Sequence, residues 1–244
     1  MSSYFISGAS SGIGAEMTRQ LARRGEDIAI AARRTERLQA LADELADAPG
    51  SISVHTLDVT DPEAVDTVMR RADQDHGGLD VVVVNAGRGG GGRLGTGRSE
   101  ENRALVHTNL IGALAQVETA LSLFRSRERG HLVLMSSLAA NRSLPGSGAV
   151  YSATKAALAS IGSSLRMELA GTSIHVTTLR PGYIRTDLTG RSRSPFLTGI
   201  ERGVAAMISA MDHKAGDVAV PAWPWAPLGW LFRVAPASLI RRLS

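Results

Sequence analysis

An α/β fold, a doubly wound parallel sheet in a single domain, is predicted by three features of the 244-residue chain. Short apolar runs alternate with longer stretches of helical period along most of its length. Runs such as VVVV and LVLM carry no polar residue in alternate positions, which marks strands covered on both faces, as parallel strands between helices are. A glycine-rich turn stands at the first strand-to-helix junction, and sheets of this kind bind ligands beyond the carboxyl ends of their strands. The prediction is therefore of the Rossmann type.

The elements follow in order. YFIS opens the sheet and leads into a helical pattern from Ile13 to Arg24. DIAIA leads into a second pattern from Thr35 to Leu45, and ISVHTL into a third from Pro62 to His76. Pro62 fits the helix start, where a missing N–H loses no intrahelical partner. LDVVVVN is followed by one long pattern from about Ser99 to Phe124, HLVLMS by a helix from about Tyr151 to Leu169, and IHVTTL is the sixth strand.

Residues 1–220 are read as the dinucleotide-binding and catalytic domain and 221–244 as an apolar tail that holds all three tryptophans. Pro221, Pro224, Pro227 and Pro236, with Arg233, interrupt the run of about 20 apolar residues that a membrane span needs. The tail is read as a substrate entrance, an oligomer contact, or a segment lying on a membrane surface with Trp and Arg as anchors.

Composition excludes several classes of function. Hydrophobic residues make up 43% and charged residues 20%, ordinary for a globular protein. The net charge of +4 comes mostly from arginines scattered along the chain, whereas a nucleic-acid surface gathers them into a stripe. There is no cysteine, so disulfides and thiolate metal sites are excluded. The six histidines, at 55, 76, 107, 131, 175 and 213, show no ligand spacing, and no metal site is expected. Strand residues begin at once and leave no room for a signal segment, so the expected location is the cytoplasm.

The chemistry lies at the junctions after the strands. GASSGIG places Gly8, Gly12 and Gly14 around Ser10, Ser11 and Ile13 at the first turn. Glycine there lets the backbone turn tightly and lets a pyrophosphate approach the free N–H groups of a helix N-terminus. At the end of the second strand, where an acidic residue would bind a free ribose 2′-hydroxyl, stand Arg33 and Arg34. Guanidinium groups suit a 2′-phosphate, so NADP(H) is favoured, with NAD(H) as the alternative. The chain has only three tyrosines, at 4, 151 and 183, and two lysines, at 155 and 214. YSATK places one of each four residues apart, on one face of a helix.

These motifs, with Asn85-Ala86-Gly87, Asn109, Ser137 and Pro181-Gly182, occur in the order found in the short-chain dehydrogenase/reductase family, and the sequence resembles its short, single-domain branch over about residues 4 to 190. The resemblance implies that Tyr151 exchanges a proton with the substrate oxygen and that Lys155 lowers the tyrosine pKa and holds the nicotinamide ribose. It implies that Ser137 polarises the reacting carbonyl and that Asn109 orders a relay water. Ser137 lies fourteen residues before Tyr151, where thirteen is the commoner distance; a loop containing Pro145, Gly146 and Gly148 would absorb the extra residue. Leu138 cannot replace it, and strand alternation points Ser136 elsewhere.

Asp58 and Val59 resemble the pair that positions the adenine, and Asn85 to Gly87 the segment beside the adenosine ribose, with bracing of the sheet as the other reading of Asn85. Pro181, Gly182, Ile184 and Thr186 resemble the turn that fixes the nicotinamide carboxamide. The implied substrate is a small carbonyl compound or secondary alcohol, expected to be hydrophobic, in a pocket shaped by residues 138 to 150, 183 to 200 and the tail. The implied assembly is a homodimer or homotetramer. The glycine-rich stretch from Gly87 to Gly97 is read either as a loop that orders over substrate or as a mobile surface loop. Two other functions remain open: a nucleotide-sugar epimerase, which would need an appended substrate domain, and a dinucleotide-binding regulator without catalysis.

Overall fold

The computed structural model describes residues 1–141, 146–186 and 197–234. Pro145, Pro236 and part of the expected substrate pocket lie outside the described residues. The sheet is built from β1 (Ser3–Ser7), β2 (Asp27–Ala32), β3 (Ile52–Thr56), β4 (Val81–Val84), β5 (Arg129–Met135), β6 (Ser173–Pro181) and β7 (Asp217–Val220). Its order is β3-β2-β1-β4-β5-β6-β7, and every neighbouring pair is parallel. The order reverses between β1 and β4, the point at which such sheets open a crevice for a ligand.

Alternate strand residues enter two separate cores. Ile6, Ile30, Val83, Val133 and Leu179 pack on one face with α1 (Gly12–Arg23), α2 (Thr35–Glu44) and α7 (Ile200–Asp212). Phe5, Ala29, Val82, Leu132 and Val176 pack on the other with α3 (Pro62–Asp75), α5 (Gly112–Ser126) and α6 (Gly148–Glu168). Full burial on both faces explains why these strands read as unbroken apolar runs. Asp61 caps α3 by accepting from the Glu63 and Ala64 N–H groups at 3.1 and 3.0 Å, and Pro62 stands just inside, as expected.

The structure differs from the sequence expectation in three places. The long fourth pattern divides into α4 (Ser99–Val106) and α5, joined by a π-helical stretch, His107–Ile111, centred on Asn109. Helix α6 begins three residues earlier than expected, at Gly148. Beyond β6 the chain adds α7, β7 and α8 (Ala222–Val234), none of which was among the expected elements. Helix α7 buries Val204, Met207, Ile208 and Met211, an i, i+3, i+4, i+7 stripe, whereas β7 has only four residues at the sheet edge. Helix α8 is irregular, with extended backbone at Trp223 and Pro227 inside it. Its Trp225 is buried against the domain, so the tail starts as part of the fold. No helix among the described residues is long and apolar enough to cross a membrane.

Candidate active site

The turn after β1 has little room for anything but glycine. Gly8 has φ +68°, and a Cβ on it would come within 2.8 Å of the Ala86 Cα. A Cβ on Gly14 would stand 2.6 Å from the Gly8 carbonyl oxygen and 2.7 Å from Asn85 Nδ2. Ser11, the N-cap of α1, makes no side-chain capping bond, which leaves the first-turn N–H groups to an anion. Thr186 closes the far side, with its Cβ and Cγ2 3.7 Å from where a Cβ on Gly12 would lie. Backbone donors, a cradle that side chains would fill and a helix N-terminus together fit a dinucleotide pyrophosphate. Ile13 beside it packs against the core.

Two arginines stand at the end of β2 and they are used differently. Arg34 Nη2 donates to Ser10 Oγ at 2.9 Å and to Ser11 Oγ at 2.8 Å, with Nε also 3.2 Å from Ser10 Oγ. Its guanidinium is thus held beside the phosphate turn. Arg33 is exposed and faces Asp58 at 3.7 Å. Burial works against the Asp58 charge, but hydrogen bonds from Thr60 and the Arg33 cation hold the carboxyl below its usual range. Val59 follows, buried, with its carbonyl against Gly112 of α5.

Asn85 braces the sheet, the second of its two readings. Its Nδ2 donates to the Ser7 carbonyl at 2.8 Å. Ser7 Oγ in turn accepts from the Asn85 and Ala86 N–H groups at 3.1 and 3.0 Å. Gly87 then passes between Asn109 and Lys155: a Cβ on it would lie 3.4 Å from Asn109 Oδ1 and 3.5 Å from Lys155 Nζ. The side chain of Asn109, wholly buried, binds both backbone groups of Arg88, accepting from its N–H at 2.8 Å and donating to its carbonyl at 2.9 Å. The glycine-rich stretch is anchored again where the Gly92 N–H donates to Asn102 Oδ1 at 2.8 Å.

Tyr151 and Lys155 lie one turn apart on α6, with Nζ 5.9 Å from the tyrosine ring centroid. Ser137 follows β5 and caps a short 3₁₀ turn, Leu138–Ala140, by accepting from the Ala139 N–H at 3.1 Å. Its hydroxyl also stands near enough to the Tyr151 hydroxyl to favour ionisation of the tyrosine. The fourteen-residue spacing is therefore compatible with contact between the two hydroxyls. Ser136 points elsewhere as expected, donating to the Lys155 carbonyl at 2.7 Å.

One electrostatic expectation is overturned. Burial pushes the Tyr151 hydroxyl up, and only the Ser137 hydroxyl opposes it; Tyr183 raises it further. Lys155 contributes no depression because its ammonium is itself desolvated: it is 5% exposed, donates to the Met135 carbonyl at 2.8 Å, and is pulled down by burial to about 8. A lysine that sheds its proton near pH 8 is already neutral at the pH where the Tyr151 hydroxyl would ionise, so it offers no cation to that phenolate.

Pro181 ends β6, and the Gly182 N–H donates to the Val220 carbonyl at 3.1 Å. Ile184 is buried and pairs with Thr198 in an isolated bridge. Sequence reasoning missed Ser7, Arg88 and Met135, and placed Tyr183 only as the first residue of the expected pocket stretch 183 to 200. The first three act through backbone groups or as braces and leave no motif. Tyr183, the third tyrosine of the chain, directly follows the Pro-Gly pair and was visible. No group of three His, Asp or Glu side chains that could hold a metal ion occurs among the described residues.

Fold and site define the class: a single α/β domain with a dinucleotide-binding turn at β1–α1, and a serine, a tyrosine and a lysine gathered after β5 and on α6. A family model described as short chain dehydrogenase matches residues 3–195, and the chain belongs to that family of oxidoreductases. It is 47% identical over 242 residues to an uncharacterized oxidoreductase of Mycobacterium tuberculosis (strain H37Rv), covering 98% of this chain and 96% of that one. Among solved structures it resembles an alcohol dehydrogenase from the archaeon Thermococcus sibiricus complexed with 5-hydroxy-NADP (27% identity, TM-score 0.79, 90% and 95% of the two chains). It also resembles the closed form of a serine dehydrogenase complexed with NADP+ (26% identity, TM-score 0.78, 85% and 88% coverage).

Proposed function

We propose that the protein is an NADP(H)-dependent reductase that converts a hydrophobic carbonyl compound to a secondary alcohol. The observation that carries this reading is the convergence of Ser137 and Lys155 on Tyr151, with Lys155 buried one turn away and its Nζ 5.9 Å from the tyrosine ring centroid. When bound, the reduced nicotinamide supplies the hydride that goes to the carbonyl carbon. The protein's part is to hold the carbonyl oxygen and give it a proton. Ser137 Oγ donates to that oxygen as negative charge grows on it, which is where a preorganised donor lowers the barrier. Tyr151 Oη, kept protonated by its surroundings, delivers the proton and is left as a phenolate.

Lys155, with a pKa near neutrality, is suited to return a proton to Tyr151. Asn109 Oδ1 accepts one bond from Arg88, and a carbonyl oxygen has a second lone pair with which to hold a relay water. An enclosed, neutral tyrosine favours donation over abstraction, which is why reduction is proposed as the direction. In this reading Pro181, Gly182, Ile184 and Thr186 hold the carboxamide side of the cofactor, and Asp58 and Val59 the adenine.

The NADP preference rests on Arg34, fixed by Ser10 and Ser11, with Arg33 the second cation within reach of a 2′-phosphate. The NADP-type cofactors in the two similar structures support it. We further propose a homo-oligomer that covers Ile111, Leu114 and Met167, apolar residues exposed on the surface of the single chain.

Equilibrium titration with NADPH and NADH, on the wild type and on Arg34→Asp and Arg33→Asp, tests the cofactor assignment. Tighter NADPH binding, lost mainly in Arg34→Asp, is expected. Equal affinities for the two cofactors would remove the NADP preference, and no binding of either would remove the dehydrogenase reading with it.

A further inference from the structure

Helix α8 contributes an aromatic pair that the activity proposed above does not use. A Cβ placed on Gly182 would overlap the indole of Trp225, so that ring lies directly against the turn after β6. Trp225 is 2% exposed. Tyr183 packs against the same indole, with ring centroids 5.6 Å apart and planes at 58°. Yet Tyr183 remains 40% exposed, two residues beyond the carboxyl end of β6. The Tyr183 ring is therefore supported by Trp225 while part of the residue stays open at the carboxyl edge of the sheet, the edge that also carries the proposed proton donor.

The far end of the same segment reaches the serine loop. Asn141 Nδ2 donates to the Gly229 carbonyl at 3.3 Å, and a Cβ on Gly229 would come within 3.1 Å of Leu138, the neighbour of Ser137. Arg180 Nη1 donates to Asn141 Oδ1 at 2.7 Å and is itself held by Asp217 through two bonds of 2.5 and 2.7 Å. Residues 225 to 229 thus brace the Tyr183 turn and the Ser137 loop together, so the position of the Tyr183 ring relative to the reacting oxygen is fixed by packing.

We propose that Tyr183 is a specificity-determining residue that presents its open ring to a flat apolar group attached to the carbonyl, and that Trp225 is a positioning residue that holds both Tyr183 and Gly182 in place. The substrate class is then an aryl or conjugated ketone, or the matching secondary alcohol. A rigid ring against a supported ring gains an aromatic contact, about twofold to tenfold in binding, and a planar group has few rotors to freeze. A straight alkyl chain loses rotamer freedom in the same place. This inference rests on the oxidoreductase reading above.

The test compares kcat/KM with NADPH for an aryl methyl ketone and a straight-chain methyl ketone of equal carbon number. The wild type is expected to prefer the aryl ketone by about tenfold. Tyr183→Ala should bring the ratio near one, through KM of the aryl ketone, and Tyr183→Phe should keep it. Gly182→Ala should weaken NADPH binding in titration, and adding Trp225→Ala should recover it, because the added methyl and the indole compete for one space.

Turnover of both ketones with a ratio that Tyr183→Ala leaves unchanged would overturn the Tyr183 assignment alone. Failure of Trp225→Ala to recover binding in Gly182→Ala, with the double variant folded by circular dichroism, would overturn the Trp225 assignment. A wild type that binds NADPH but reduces neither ketone would overturn the reductase reading and this inference with it.

Discussion

At the scale of single residues, the site depends on two groups held away from their solution behaviour by the same cause, desolvation. Tyr151→Phe keeps the ring and removes the proton, so kcat is expected to fall by about 10²–10⁴-fold while the dissociation constant for NADPH stays within about threefold. Steady-state kinetics beside a cofactor titration checks both halves. Lys155 makes a prediction about stability. Its pKa is about 8 in the folded chain against 10.5 in its ordinary state, a shift equivalent to about 3 kcal/mol. Between pH 8 and 10.5 the unfolded chain holds a proton that the folded chain has shed, so this group makes the protein more stable as pH rises through that window. Below pH 8 the penalty of the buried ammonium is present in full. Lys155→Met lacks it, and should be more stable than the wild type at pH 7 by up to about 3 kcal/mol, less whatever the Met135 carbonyl loses with its partner. That advantage should shrink towards pH 10. Urea denaturation at pH 7 and pH 9.5 gives the comparison, and an advantage that does not change with pH would show that the lysine is not held as described.

At the scale of elements, the interruption of the helix at His107–Ile111 is where sequence and structure part most informatively. The apolar period runs through Leu105, Ala113, Val117 and Ala120 with Asn109 at the stripe position between the first two, and no proline announces a π-helical stretch. The stretch turns Asn109 inward, onto the backbone of Arg88, and a π-bulge at a functional position is a recurrent use of that geometry. Nothing in the helix's own residues encodes it; the partner is a loop twenty-one positions away. Asn109→Ala should leave the Arg88 N–H and carbonyl without their partner and cost about 2 kcal/mol in urea denaturation. Gly112, three residues on, carries the second element-scale prediction. A Cβ there would run into the Val59 carbonyl, which α5 approaches with no side chain between. Gly112→Ala should therefore destabilise the protein by about 1–3 kcal/mol and weaken cofactor binding, since the segment it displaces includes Asp58. A variant of unchanged stability and affinity would mean that α5 yields without moving that loop.

At the scale of the whole molecule, five of the six strands that were legible are largely buried on both faces, where physics writes one apolar run per strand, while the half-buried edge strand β3 was legible from alternating Ile52 and Val54. β7 was not legible because an edge strand of four residues needs little apolar surface, and α8 was hidden behind its prolines. The site was legible to the extent that chemistry requires a residue type: glycines at the phosphate turn, a tyrosine and lysine one helical turn apart, arginines after β2. Its braces were not, because Met135 and Arg88 contribute through backbone groups that any of several residues would supply, and the Ser7 hydroxyl bonds only to backbone of β4 and the turn after it, with no motif to mark it. All these groups stand at the carboxyl edge of β1, β2, β4, β5 and β6, so a bound dinucleotide would tie together strands from both halves of the sheet. Binding only to the folded chain adds RT ln(1 + [L]/Kd), about 2.7 kcal/mol at a hundredfold excess over Kd. Thermal unfolding at one fixed concentration of each cofactor should then show a larger rise in Tm with NADPH than with NADH in the wild type. Arg34→Asp should reverse that order while leaving the Tm of the cofactor-free protein within a few degrees, because among the described residues the guanidinium it removes is bonded only to the hydroxyls of two half-buried serines. If Arg34→Asp lowered the cofactor-free Tm as much as it lowered the NADPH-dependent rise, Arg34 would be a structural brace of the turn, and the discrimination would have to come from Arg33.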